Sequence, residues 1–183
     1  MTSAYAQQVA VVNGKPISNK EFMWFFKRNH GGNANSTYSD LEVYLNLYID
    51  FKLKVCDARE SGLDRDTAYL REIENYEAAL RAQKRISKSS AEYNFIMNEY
   101  REAVLMFNIS EKKIWDRAQN DAYQLRDFYD QHKDKYGTAS FEEVRGQVIA
   151  DYQRKMENDW INTLRSHYSI KINREELKKL AKL

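Results

Sequence analysis

Residues 39–62 read SDLEVYLNLYIDFKLKVCDARESG, and the folding of this stretch decides the architecture. Its middle is apolar at nearly every second position: Val43, Leu45, Leu47, Ile49, Phe51, Leu53 and Val55. A period of two is the mark of a half-buried strand. Length argues against that reading, because the run is about twice a usual strand and holds no turn residue. Ser39 and Glu42 have the spacing of a capping box, in which a hydroxyl and a carboxylate satisfy free amides of the first helical turn. Gly62 stands where helices commonly end in a left-handed residue. Leu41, Tyr44, Leu45 and Tyr48 keep helical spacing too. As a helix the segment is apolar round most of its circumference and needs cover on most sides. At ~1.5 Å per residue it is about 30 Å long, the width of a small domain.

The 183 residues suffice for one domain, or one with an extension. A hydrophobic fraction of 43% allows a real core, while 31% charge and a single proline suit helices with a solvated face. Net charge is +2 and the signs are mixed along the sequence; Lys84-Arg85 and Lys178-Lys179 are short runs of helix surface. A nucleic-acid partner would need a basic stripe, so none is expected. No apolar run is long enough to span a membrane. Cys56 is the lone cysteine, which rules out an internal disulfide and suits a small core residue. The 13 Tyr, 8 Phe and 3 Trp fill a core or form a surface that grips apolar polypeptide segments, Tyr giving contact area at low entropic cost.

From the N-terminus, Ala4-Tyr5-Ala6 matches the end of a secretory signal, and residues 1–7 are read as a flexible tail left after its removal or truncation. QVAVVN, residues 8–13, is a short strand that turns at Asn13-Gly14. Ser18 and Glu21 have cap spacing for a helix from about Asn19 that carries Phe22, Met23, Trp24, Phe25 and Phe26. Five bulky residues in a row cannot all face one core, so part of this helix should meet a second surface. A polar loop over 31–38 leads to the long helix, and a third helix runs over 66–85. After a polar break at 86–90, a fourth helix covers 91–108. Ser110 is read as the cap of a short helix, and Asp121 as the cap of another that continues to Tyr136. Residues 137–140 form a joint. The last long helix covers 141–168, with Gly146 marking close packing. SIKIN, residues 169–173, is a second strand, followed by a small closing helix. Pairing of Val9–Val12 with Ile170–Ile172 would tie the two ends together.

These residues resemble a known family. VVNGKPISNKEF followed by LNLYIDFKLKVCDARESGLD is similar to the N-terminal chaperone domain of SurA/PpiD-like periplasmic folding factors. The family's second-helix pattern stands here at Leu47, Ile49, Lys52, Leu53, Ala58, Gly62 and Leu63. ISEKKIWDRAQNDAYQLRDFYDQHKDKY resembles the helix that leads into a parvulin prolyl-isomerase domain, and FEEVRGQVIADYQRKMENDWINTLRSHYSIKIN the closing helix and strand. The resemblance implies a mainly α fold, multihelical and like the peptide-binding domains of SurA and trigger factor, with a small β pairing of the terminal strands. Residues 8–183 are read as one domain, with parts at 8–88 and 89–183. The joints at 85–90 and 137–140 are too short for an inserted domain of ~50 residues, and the parvulin Gly-Gly-x-Leu-Gly loop is absent. The expectation is thus a chaperone core without an isomerase domain, acting in the periplasm.

Nothing else in the sequence spells catalysis. His30, His132 and His167 lack zinc-site spacing and lie near helix ends, where a cation is favoured. No phosphate-binding glycine loop or nucleophile elbow is present. No enzyme activity, metal or cofactor is expected. The expected partners are unfolded or partly folded polypeptides, especially aromatic-rich outer-membrane strands. Trp24 and Phe25 on the first helix, with Tyr93, Met97 and Tyr100 on the fourth, are the expected groove lining; each is also a candidate for the core. The alternative is a dedicated assembly subunit, its apolar face covered by a specific partner or a second copy.

Overall fold

The computed structural model describes residues 7–31, 37–82 and 91–181. The expected tail with Ala4-Tyr5-Ala6, most of the polar loop before the long helix, Lys84-Arg85 and the break at 86–90 lie outside the described residues.

The fold opens with a hairpin. Strand β1 (Gln8–Val12) turns at Asn13 and Gly14 into β2 (Lys15–Ser18). Both turn residues have positive φ, 48° and 74°, as a two-residue turn matched to strand twist requires. β2 is not among the two strands expected, and it holds Pro16, which lacks the N–H of a strand interior. It is tolerated here because β2 is an edge, in a sheet of order β2-β1-β3. β3 (Ile170–Ile172) covers the other side of β1, antiparallel, with Ala10 opposite Ile172 and Val12 opposite Ile170. The expected pairing of the two ends is present.

Helix α1 (Asn19–Asn29) starts as its sequence requires, with Ser18 Oγ accepting the Glu21 amide at 3.1 Å. Helix α2 (Tyr38–Glu60) is the stretch that decides the fold, but its cap lies two residues before Ser39. Thr37 Oγ1 accepts the Asp40 amide at 3.2 Å, and the Asp40 carboxylate accepts the Thr37 amide at 3.1 Å. The box satisfies the amides of Thr37 and Asp40, where a Ser39–Glu42 box would have satisfied those of Ser39 and Glu42. Gly62 takes the expected left-handed conformation, with φ 77°. A turn at Leu63–Arg65 leads to α3 (Thr67–Ala82).

Helix α4 (Ala91–Ser110) does not end at Ser110. Ser110 is helical and buried, and caps nothing. The backbone runs on through a π-helical turn (Glu111–Trp115) into α5 (Asp116–Asn120). Leu105, Ile109, Ile114 and Ala118 are all buried. The five-residue step from Ile109 to Ile114 is the period of a π turn, so the turn keeps this stripe on one face and packing overrides the cap preference of serine. Asp121 does cap α6 (Ala122–Gln131), accepting the Gln124 amide at 3.1 Å. The helix expected to reach Tyr136 is interrupted at His132, and α7 (Lys133–Tyr136) follows. Helix α8 (Phe141–His167) opens on a capping box between Ser140 and Glu143, and α9 (Arg174–Leu180) on Asn173. The fold is mainly α with a small antiparallel sheet.

Two hydrophobic clusters result. The larger joins the sheet, α1 to α4, the π turn, Trp160 and Leu164 near the end of α8, and α9. The smaller joins Leu125, Phe128 and Tyr136 to Phe141 and Val148 at the start of α8. Helix α8 thus belongs to both. Its far half is fixed to α2 by Asp57, whose Oδ2 accepts Trp160 Nε1 at 2.8 Å and Lys113 Nζ at 2.5 Å. Arg165 Nε to Asp50 (2.6 Å) and Lys54 to Glu157 add ion pairs across the same joint. Among the described residues no helix is long and apolar enough to cross a membrane.

Gly146 is exposed on α8, and no heavy atom lies within 4 Å of where its Cβ would stand. The close packing expected there is absent. Gly146→Ala should therefore raise stability by about 1 kcal/mol in denaturant unfolding. Asp57→Ala should lower it by about 2–3 kcal/mol, because a buried indole N–H and an ammonium lose their common acceptor. A change within about 0.5 kcal/mol, the range of ordinary surface substitutions, would show that Asp57 does not hold the joint.

Candidate functional site

Helix α2 buries Leu41, Leu45, Tyr48, Ile49, Leu53 and Val55, yet one face of it is open. Val43 and Leu47 are 60% and 62% exposed, and Phe51, one helical turn on, is half-buried. Residues four apart share a helix face, so these three form a ridge. Leu47 and Phe51 also line a groove on each side of it. The groove toward α1 and α4 holds about 250 Å³ and is walled by Phe25, Tyr44 and Tyr48. The groove toward α8 holds about 610 Å³ and is walled by Met106 and Ile161, with Asp50, Lys54, Arg154 and Glu157 on its rim. Most of those rim charges are already paired, as are Arg28 and Glu99 (2.9 Å) beside the aromatic groove. Burial pushes the Glu99 carboxyl above its ordinary pKa, against the pull of Arg28. The surface is therefore an apolar ridge between two troughs, with neutralised edges.

A separate cavity of about 300 Å³ lies behind Phe25, between β2, α1, α2 and α4. Lys52 Nζ sits there between Glu21 (2.9 Å) and Glu102 (2.5 Å), and Arg59 reaches Glu102 at 3.3 Å. Tyr48 donates its hydroxyl to Glu21 at 2.8 Å. Burial, with Glu21 alongside, holds that phenol far above its ordinary pKa, so it remains a donor. Cys56 lines the cavity as a mostly buried thiol, and burial pushes its pKa up.

The five residues expected in the groove do not share one surface. Phe25 lines both the aromatic trough and the cavity behind it. Trp24 packs edge-on against Phe25 and tilts over Phe95, with Arg28 5.1 Å above its ring. Met97 is 1% exposed and belongs to the core. Tyr93 is buried and donates to Glu77 at 2.7 Å. Tyr100 stacks on Tyr76 and donates to Glu72, whose carboxylate pushes the phenol up to about 12. The two tyrosines seat α4 on α3. The residues missed, Val43, Leu47 and Phe51, belong to the run that reads as core in the sequence.

The histidines serve helix ends. His30 stacks on Phe26 and His132 on Phe128, each with Nδ1 within 2.9 Å of the same phenylalanine's carbonyl oxygen. Among the described residues no cluster of three metal-ligating side chains occurs.

No protein-family profile matches the protein, and no solved structure does. The sequence is 27% identical over 162 residues to proteins named "Putative peptidyl-prolyl cis-trans isomerase Cbf2" from two strains of Campylobacter jejuni. The match covers 87% of this protein and 50% of each relative, so it spans about half the length of the curated relatives it matches. The likeness is to a protein named for prolyl isomerisation, and it is distant.

The open ridge and the buried core should respond differently to polar substitution. Leu47→Ser should change stability by no more than about 0.5 kcal/mol yet reduce binding of an apolar fluorescent dye. Met97→Ser should cost about 3 kcal/mol or more. Equal costs in denaturant unfolding would mean that Leu47 is covered in solution.

Proposed function

We propose that this protein is a holdase: it binds extended apolar segments of unfolded polypeptides along the α2 ridge and releases them to fold. The observation that carries the reading is the pair Val43 and Leu47, largely exposed on a helix whose other apolar residues are buried or half-buried. Contiguous exposed apolar surface on a folded protein marks an interaction site. The neighbours suit varied clients, since Met106 and the rings of Phe25, Tyr44 and Phe51 present adaptable contact area. The paired rim charges leave no strong field to select one charged partner. Micromolar affinity, about −8 kcal/mol, needs several hundred Å² of apolar burial at ~25 cal/mol per Å² once ordering costs are subtracted. A ridge with two troughs is of that order.

The resemblance to SurA/PpiD-like factors and the isomerase name of the distant relatives both favour protein folding as the setting. In this reading the clients are envelope proteins, outer-membrane strands among them, met in the periplasm. The described residues hold the client and supply no isomerase chemistry. A dedicated assembly subunit would use the same ridge for one permanent partner or a second copy.

The two readings separate in one assay. A denatured outer-membrane protein is diluted into buffer with this protein at a few molar equivalents, and light scattering is followed. The holdase reading expects suppression of scattering, weakened several-fold by the double variant Val43→Ser, Leu47→Ser at unchanged thermal stability. No suppression, together with a stable dimer by mass measurement, would replace it with the assembly-subunit reading.

A further inference from the structure

We infer that the cavity between β2, α1, α2 and α4 takes a carboxylate of the bound polypeptide, together with the apolar group next to it. The inference rests on the client-binding reading above. Its ground is the charge balance of the cavity wall: three cations, Lys15, Lys52 and Arg59, face two carboxylates, Glu21 and Glu102. Lys52 and Arg59 are committed to those carboxylates. Lys15, exposed on the edge strand β2, makes no ion pair among the described residues. The cavity therefore holds one uncompensated positive charge at its mouth. An incoming amine would meet that charge, and a purely apolar group would leave Lys15 without a counter-charge.

The cavity has apolar walling too, from Ile17, Phe25 and Phe95. A ligand that matches both walls carries one negative group beside one apolar group. The volume, about 300 Å³, lies at the small end of ligand sites. A buried ion network alone is a weak source of stability, and a purely structural one would be expected to close on itself. This one keeps an open space beside Lys52 and Glu102, whose side chains are only 15% and 13% exposed. Phe25 lines this cavity and the aromatic trough alike, so a polypeptide lying on the ridge has the cavity as its next compartment. The carboxylate can come from the client's C-terminus or from an Asp or Glu residue within it.

Three short peptides test this with the 183-residue protein: acetyl-Ala-Leu-Phe with a free C-terminus, its C-terminal amide, and the amide of acetyl-Ala-Glu-Phe. Affinities are read by calorimetric titration. The free acid should bind about tenfold tighter than its amide, the worth of one charge-assisted contact. Lys15→Gln should bring that ratio close to one without weakening the amide, and Lys15→Arg should keep it. Binding of the glutamate peptide at the level of the free acid assigns the site to the carboxylates of Asp and Glu residues; binding at the level of the plain amide assigns it to polypeptide C-termini. Equal affinity of acid and amide for the unaltered protein overturns the inference, as does a preference that survives Lys15→Gln. If no peptide binds while aggregation is still suppressed, the inference falls and the holdase reading stands. Loss of both ends both.

Discussion

Helix α2 has to be covered. Leu41, Leu45, Ile49 and Leu53 form one buried stripe and Tyr48, Val55 and Ala58 are buried beside it, too wide a face for one neighbour to shield, so α1, α3, α4, the sheet, α8 and α9 gather round it in one cluster. The cost of exposing such a helix, at ~25 cal/mol per Å², exceeds any local preference in the elements around it. Ser110 shows this: a residue suited to a cap is carried through a π turn so that Ile109 and Ile114 both stay buried. Asp57 completes the enclosure. It draws the π turn and α8 onto α2 through Lys113 and Trp160.

The same constraint creates the candidate site. Helices packed round a cylinder leave a gap where no further element arrives, and here the gap falls over Val43, Leu47 and Phe51. Aromatic residues of α1 and α2 wall one side, and α8 walls the other. Behind Phe25 the packing encloses a paired ion network instead of apolar atoms. The open ridge thus has neutralised edges, and the cavity behind it holds fixed, paired charges.

Much of the fold was legible because it depends on local chemistry. Asn13-Gly14 specifies a hairpin turn, Ser18 and Asp121 cap helices, and Gly62 ends α2; each did what its side group or backbone freedom dictates. The failures came where packing decides. β2 holds Pro16, and only the sheet order shows that this strand is an edge, where proline is tolerated. Thr37 took the cap from Ser39, since two overlapping boxes compete and sequence does not rank them. The site was harder. Phe25, which lines the aromatic trough, stands in a run of bulky residues too crowded to face one core. Met97 and Tyr93 look the same in sequence as surface aromatics and thioethers, but both are buried in the core cluster. Val43 and Leu47 look like core, and only the arrangement of their neighbours leaves them bare.

The most direct test of α2 as both core and binding surface is photocrosslinking to an unfolded client from single positions. A photoreactive residue is placed in turn at Val43, Leu47, Leu70 and Tyr123. Leu70 and Tyr123 are also exposed, at 48% and 78%, but lie on α3 and α6, away from the ridge. Crosslinks concentrated at positions 43 and 47 are the result this structure predicts. Crosslinks as strong at 70 and 123 would mean that exposure alone governs contact, and none at 43 and 47 would mean that the α2 ridge is not a binding site.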